Sequence, residues 1–348
     1  MSGLVLAVDI GGTKFAVALV DPEGSVRSAR RVATPPGGDA PTLWKTLDEL
    51  IDSVLAGSAP DTSVVDGVGI GCGGPMTWPD GVVSPLNMPG WRDFPLRAKL
   101  AGRFPGVPVR IHNDAVCLAV AEHWRGAGRG SANMLGMVVS TGVGGGLILG
   151  DRLIDGGSGN AGHIGHVVVD PEGPACGCGG HGCLEAVARG PGLAAWAVEQ
   201  GWKPGAAGPL TPSGNEIGAP GDRAVPGAGA VPSTPSYAEA AVASGRRLAL
   251  DARAGDEIAL AAMNRAGRAL GVAIASATHL CDLDVVTIGG GLSQAGPLLF
   301  EPLETALREH ARMGFARRVR VVPASLGQDA GLVGAAGLIL AADRYWPH

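Results

Sequence analysis

The chain spells one pattern twice, and that repeat limits the folds open to it. The apolar run Leu4-Val-Leu-Ala-Val-Asp-Ile10 breaks at Gly11-Gly12-Thr13-Lys14 and resumes as Phe15-Ala-Val-Ala-Leu-Val20. Met134-Leu-Gly-Met-Val-Val-Ser140 breaks at Thr141-Gly-Val-Gly-Gly-Gly146 and resumes as Leu147-Ile-Leu149. β-Prone runs on either side of a glycine turn predict hairpins. Asp21-Pro-Glu-Gly24 and Gly150-Asp151 then turn the chain after each hairpin. One supersecondary unit used twice predicts two lobes of like construction.

The intervening segments predict a mixed α/β chain. Leu43, Leu47, Leu50, Ile51, Val54 and Leu55 fall at helical spacing, and 64–71 is a buried-strand candidate. Helical spacing returns from Asp256 through Ile274, followed by a strand at 284–288, a glycine turn at 289–291 and a helix over 297–308. The Ala- and Leu-rich end of the chain predicts a helix that returns to the first lobe. The reading is therefore a small lobe over 1–113, joined by the helix at about 330–348, and a large lobe over 114–329. Within the large lobe, 203–236 is rich in Pro, Gly, Ala and Ser and reads as a flexible insertion.

A net charge of −5 argues against a nucleic-acid surface, which needs a basic excess. Lys14 interrupts the first apolar run before a signal-peptide pattern can develop, and no uncharged apolar stretch reaches about 18 residues. The expectation is a cytoplasmic protein with neither membrane nor nucleic-acid partner.

The glycine turns suit a polyphosphate, because a backbone without Cβ atoms can turn its N–H groups onto oxyanions. Gly11, Gly12, Thr13 and Lys14 offer this in the first lobe, and Thr141 and Gly142 in the second. Gly289, Gly290 and Gly291 form a third turn with room for an adenine or ribose. Asp9 would hold hydrated Mg²⁺ rather than phosphate, since like charges repel. Neither turn has the Gly-Lys-Ser/Thr ending of a P-loop. A phosphoryl acceptor needs a carboxylate as base, and the candidate is Asp114 in Val109-Arg-Ile-His-Asn-Asp114. The alternative is that Asn113-Asp114 merely caps a helix.

Three of the six cysteines fall in Cys176-Gly-Cys-Gly-Gly-His-Gly-Cys183. The spacing supplies three thiolates on a tight loop, and one imidazole would close a tetrahedron around zinc. His163, His166 and His181 are candidate fourth ligands, and reduced thiols or a disulfide are the competing readings. A Cys₃His shell has no open position, which makes such a zinc structural.

Asp9-Ile-Gly-Gly-Thr-Lys14 and Ser140-Thr-Gly-Val-Gly-Gly-Gly146 resemble the two phosphate loops of the actin-like ATPase superfamily. Within it, the chain resembles the ROK family of bacterial sugar kinases and repressors over nearly its whole length. The resemblance implies two ribonuclease-H-like lobes, of actin/hexokinase type, with a cleft that closes on sugar and ATP. It assigns Asp114 as general base and Asn113 as a sugar ligand. The family pattern Gly-His, gap, Cys-x-Cys-Gly-x-x-Gly-Cys-x-Glu is matched by Gly165-His166 and 176–185, which selects His166, Cys176, Cys178 and Cys183 as zinc ligands. It also implies that His166 and Glu185 line the sugar, with Asn87 on a loop beside it. One position departs: where the family has Glu in Glu-x-Gly-His, this chain has His163, which puts the identity of the hexose at issue.

The function expected is ATP-dependent phosphorylation of a glucose-type hexose at its 6-hydroxyl. The alternatives are an N-acetylhexosamine kinase and a catalytically weak sugar-binding regulator. The resemblance further implies a homodimer.

Overall fold

The computed structural model describes residues 3–56, 65–205 and 244–346. The 203–236 insertion lies almost wholly outside the described residues. The first sheet is assembled from β1 (Val5–Ile10), β2 (Lys14–Val20), β3 (Val26–Ala33), β4 (Gly67–Cys72) and, beyond the small hairpin of β5 (Met76–Thr77) and β6 (Val82–Val83), β7 (Val109–Asn113). Its strand order is β3-β2-β1-β4-β7. The second sheet uses β8 (Met134–Val139), β9 (Val143–Leu149), β10 (Arg152–Leu153), β11 (Val285–Gly289) and β12 (Arg320–Pro323), in the order β10-β9-β8-β11-β12. In each sheet three antiparallel strands begin the order and two further strands join in parallel. The two sheets have the same topology, so the repeated hairpin is the visible part of a repeated lobe.

Helices complete the layers. α1 (Ala40–Ala56) is capped by Asp39, whose Oδ1 accepts from Thr42 N at 2.9 Å. Its stripe of Leu43, Leu47, Leu50, Ile51 and Val54 packs on the face of the first sheet that carries Leu6, Val8 and Ile10. α2 (Leu96–Arg103) joins the same layer through Leu96 and Leu100. The opposite face of β1 presents Val5 and Ala7 to α3 (Asp114–Trp124) and α9 (Ala330–Leu340). Strict alternation along β1 thus divides it between two cores.

The chain's last long helix packs on α3 and on β1 and β4 of the first sheet. α9 lies against β4 and crosses α3 at Gly334, where a Cβ would sit 1.7 Å from the Cys117 carbonyl oxygen. On the large lobe follow α4 (Leu184–Ala188), α5 (Gly190–Glu199), α6 (Gly245–Arg253), α7 (Glu257–Cys281) and α8 (Pro297–His310). α7 is capped by Asp256, whose Oδ1 accepts from Ala259 N at 2.8 Å, and ends at left-handed Asp282. By length and composition it could cross a membrane, but Ala262, Met263, Ala266, Leu270 and Ile274 are fully buried in the large-lobe core.

Candidate active site

The candidate side chains stand on strand ends and helix starts that converge from both sheets. Asp9 is the penultimate residue of β1, and Asp114 opens α3 directly after β7. Asn113 is the N-cap of α3, its Oδ1 accepting from Ala115 N at 3.0 Å. Asp114 shares this cap, its Oδ1 accepting from the same Ala115 N at 2.8 Å, while the side chain stays open to solvent. His112, buried behind them, accepts the Asn113 N–H on Nδ1 at 2.9 Å. Its Nε2–H must then donate to Asp155 Oδ1 at 3.0 Å, which joins β7 to the loop that precedes His163.

Asp9 and Asp114 line one cleft of about 870 Å³ together with Lys14, Gly289, Gly290 and Gly291. Burial, and next the charge of Asp114, push the Asp9 carboxyl up to about 6, against the opposing pull of Lys14 and Arg31. Asp114 is reached by solvent through the cleft, yet protein crowds it on its other sides. That burial raises its carboxyl above the ordinary range, while bonds from the backbone and the charge of His163 act the other way. Two carboxylates held uphill in one cleft suit a site that receives a cation and a proton.

Gly11, Gly12, Thr13, Thr141 and Gly142 stand outside this cleft lining. A Cβ on Gly12 would lie 2.4 Å from Asn87 Nδ2, so the first glycine turn and the Asn87 loop are in close contact. Ideal Cβ positions on Gly73 fall 3.9 Å from both Asn87 Oδ1 and Asp114 Oδ2. The second turn meets Glu185: Val143 N donates to Glu185 Oε2 at 2.8 Å. The sequence reading placed Glu185 with the sugar and missed this tie to the hairpin. One carboxylate oxygen thus fixes the turn, and the other has no hydrogen-bond partner among the described residues.

Glu185 follows directly from the cysteine loop. Cys183 is the N-cap of α4, and Leu184 N donates to Val167 O at 2.9 Å, joining that helix to the short turn Ile164–His166. His163 and His166 project from this turn with their rings 6.3 Å apart. His163 Nδ1 lies 2.9 Å from the Asn160 carbonyl, which only accepts, so Nδ1 carries the hydrogen and Nε2 of a neutral ring is an acceptor.

His166, Cys176, Cys178 and Cys183 bring one ligand atom each within 4.8 Å of one another. Cys178 Sγ and Cys183 Sγ are 3.7 Å apart, and Cys176 Sγ is 3.7 Å from His166 Nδ1. A disulfide needs about 2.05 Å, whereas Zn–S bonds of about 2.3 Å give tetrahedral edges near 3.8 Å. The donor set and its spacing fit zinc, and His163 and His181 are not in the group.

Sequence reasoning missed part of the cleft. Arg246, Ala249 and Arg253 of α6 line it, as do Ser293, Gln294, Gly327, Gln328 and Gly331. At Gly331 a Cβ would lie 2.7 Å from Asp9 Oδ2, so glycine lets α9 start against that carboxylate, a closeness that the local sequence does not announce.

The profile of the ROK family matches residues 5–342. The chain belongs to the ROK family. Among its ROK relatives is a glucokinase of Thermotoga maritima, 32% identical over 338 residues that make up 96% of each chain. An N-acetylmannosamine kinase of Escherichia coli is 34% identical, covering 95% of this chain and 96% of its own. Among solved structures, the ROK glucokinase of Streptomyces griseus in complex with glucose and AMPPNP matches at 32% identity with a TM-score of 0.74. That match covers 97% of this chain and 99% of the other. The two-lobe fold expected from the repeated hairpin is the fold of these ROK kinases.

Proposed function

We propose that this chain transfers the γ-phosphoryl group of ATP to the 6-hydroxyl of a hexose. The observation that carries the reading is the pair Asp9 and Asp114, both raised, facing one cleft that Lys14 and a glycine turn also line. Asp114 takes the proton from the 6-hydroxyl as that oxygen forms its bond to the γ-phosphorus. The bond between the γ-phosphorus and the bridging oxygen breaks, and ADP leaves. A raised carboxyl is the stronger base once ionised. Lys14 and the backbone at 289–291 neutralise and position the nucleotide, with Asp9 as the group that would hold the water shell of Mg²⁺. Bound Mg²⁺ supplies charge neutralisation on the phosphates.

On the sugar side the reading uses Asn87, Asn113, His163, His166 and Glu185. Zinc on His166, Cys176, Cys178 and Cys183 is structural in this scheme. His166 Nδ1 faces Cys176 Sγ at 3.7 Å and would be the atom that holds the metal, which would leave Nε2–H to meet a hydroxyl. The tether of Glu185 to Val143 then makes the zinc loop a spacer between the sugar and the second glycine turn.

His163 favours a second reading. An imidazole with Nε2 as its only free acceptor has no negative charge and one acceptor fewer than the carboxylate usual there. Such a group suits the amide N–H of a 2-acetamido sugar, and an N-acetylmannosamine kinase is among the relatives. Steady-state turnover with glucose, mannose, N-acetylglucosamine and N-acetylmannosamine decides between the two. Absence of turnover on all four defeats the kinase reading, and with it leaves the sugar-binding regulator.

A further inference from the structure

Glu122 belongs to no part of the chemistry above, yet it is among the most constrained side chains in the molecule. It lies on α3 eight residues beyond Asp114, about 12 Å further along the helix axis. It is fully buried. A buried carboxylate is costly unless its oxygens are saturated. Here Oε1 accepts from Ser325 N at 3.0 Å and from Leu326 N at 2.9 Å. Oε2 accepts from Ala127 N at 2.7 Å and from the Ser325 hydroxyl at 3.2 Å. All of these partners are neutral groups, and three are backbone N–H groups held in place by the chain.

The segment gripped in this way leads into the nucleotide side of the cleft. Ala324 N is bound to Ile288 O at 2.9 Å, at the end of β11. The next two N–H groups, of Ser325 and Leu326, both end on Glu122. Gly327 then turns the chain at a φ of +58°, and Gly327, Gln328, Ala330 and Gly331 line the cleft. Gly331 abuts the Asp9 carboxylate. The helix that presents the base at its start therefore fixes, through Glu122 near its end, where the 327–331 wall stands.

We infer that Glu122 is a positioning residue for the nucleotide, setting the 325–331 segment against α3 so that one helix registers both substrates. The inference rests on the kinase reading above. It assigns Glu122 no contact with either substrate, and its effect reaches the nucleotide alone.

The test is Glu122→Gln, which keeps the shape but turns an NH₂ onto N–H donors. Steady-state kinetics are run with each substrate varied in turn. The KM for ATP rises about tenfold, the scale expected when a charged acceptor of two loop N–H groups is lost, while the KM for the sugar is unchanged. A merely structural role lowers the amount of folded enzyme and moves neither KM. An unchanged KM for ATP, or an equal rise in both, overturns the inference. Should Glu122→Gln fail to fold, Ser325→Ala is read in its place. It removes only the hydroxyl donor, and a selective rise in the KM for ATP of about twofold is expected. No rise there overturns the inference as well. Wild-type enzyme assayed in parallel separates the two failures, because its silence on every sugar defeats the kinase reading rather than the role of Glu122.

Discussion

Replacing Asp9 with Asn should make the folded protein more stable while removing its activity. The carboxyl is raised from 3.8 to about 6, first by burial and then by the charge of Asp114. Between those two values the folded state binds more protons than the unfolded state, so stability falls as pH rises through that window and stays lowered above it. The difference corresponds to about 3 kcal/mol at pH 8. Among the described residues no hydrogen bond is formed by the Asp9 side chain, so the neutral isostere loses no partner. Asp9→Asn should therefore melt roughly 4 °C above the wild type at pH 8. The gap should close as pH is lowered toward 4, where the wild-type carboxyl is itself protonated. Thermal melts across pH 4–8 in buffer free of Mg²⁺ and nucleotide provide the comparison, without a chelator that would also strip zinc. A melting gain that does not change with pH, or no gain at pH 8, refutes the electrostatic argument. Loss of turnover in the same variant ties the strain to function.

Two further substitutions test the remaining parts. Asp114→Ala should lower kcat about 10²–10⁴-fold with the fold retained by circular dichroism; retained turnover removes Asp114 as the base. Because its carboxyl is raised by burial, the acid limb of wild-type kcat/KM should lie above the ordinary aspartate range, activity falling as pH falls through it. Cys178→Ser should reduce zinc from about one ion per chain and lower the melting temperature together. It should also raise the KM for the sugar, since His166 and Glu185 are held by the same loop. Unchanged metal content by elemental analysis ends the zinc reading.

The parts of this protein that could be read from sequence are those whose chemistry is local. The hairpins at 4–20 and 134–149 announce themselves through apolar runs and glycine turns, and α1 through its stripe of leucines. The cysteine loop is legible because its three thiols lie within eight residues of one another. Helix 297–310 and the strand at β11 were likewise expected within a residue or two of their ends. What escaped is set by distant packing. Nothing in the local spelling of Arg246, Ala249 or Arg253 announces a cleft wall, since the lining residues outside α6 are far from it in sequence. Glu185 reads as a residue beside a metal loop, and its hold on Val143 follows from the approach of two segments 42 residues apart. Glu122 sits in an apolar helix as an apparent defect, and all its partners but Ala127 lie more than 200 residues downstream.

These missed contacts share one logic. Each glycine turn is too flexible to keep its own shape, since glycine gives the backbone its freedom at the cost of order. Order is therefore supplied from outside, and in this chain a carboxylate supplies it more than once. Glu185 holds the second hairpin by its Val143 N–H, and Glu122 holds the approach to Gly327 by two more. Asp9 does the converse, with no hydrogen bond among the described residues and a raised carboxyl pressed on Gly331. Saturated carboxylates fix the walls, while Asp9, and Asp114 with only backbone N–H partners, are left to be completed by what binds. The replacements of Asp9 and Glu122 should accordingly act in opposite senses on stability. Neutralising the unsatisfied carboxylate relieves strain, while neutralising the saturated one leaves buried N–H groups without their acceptor.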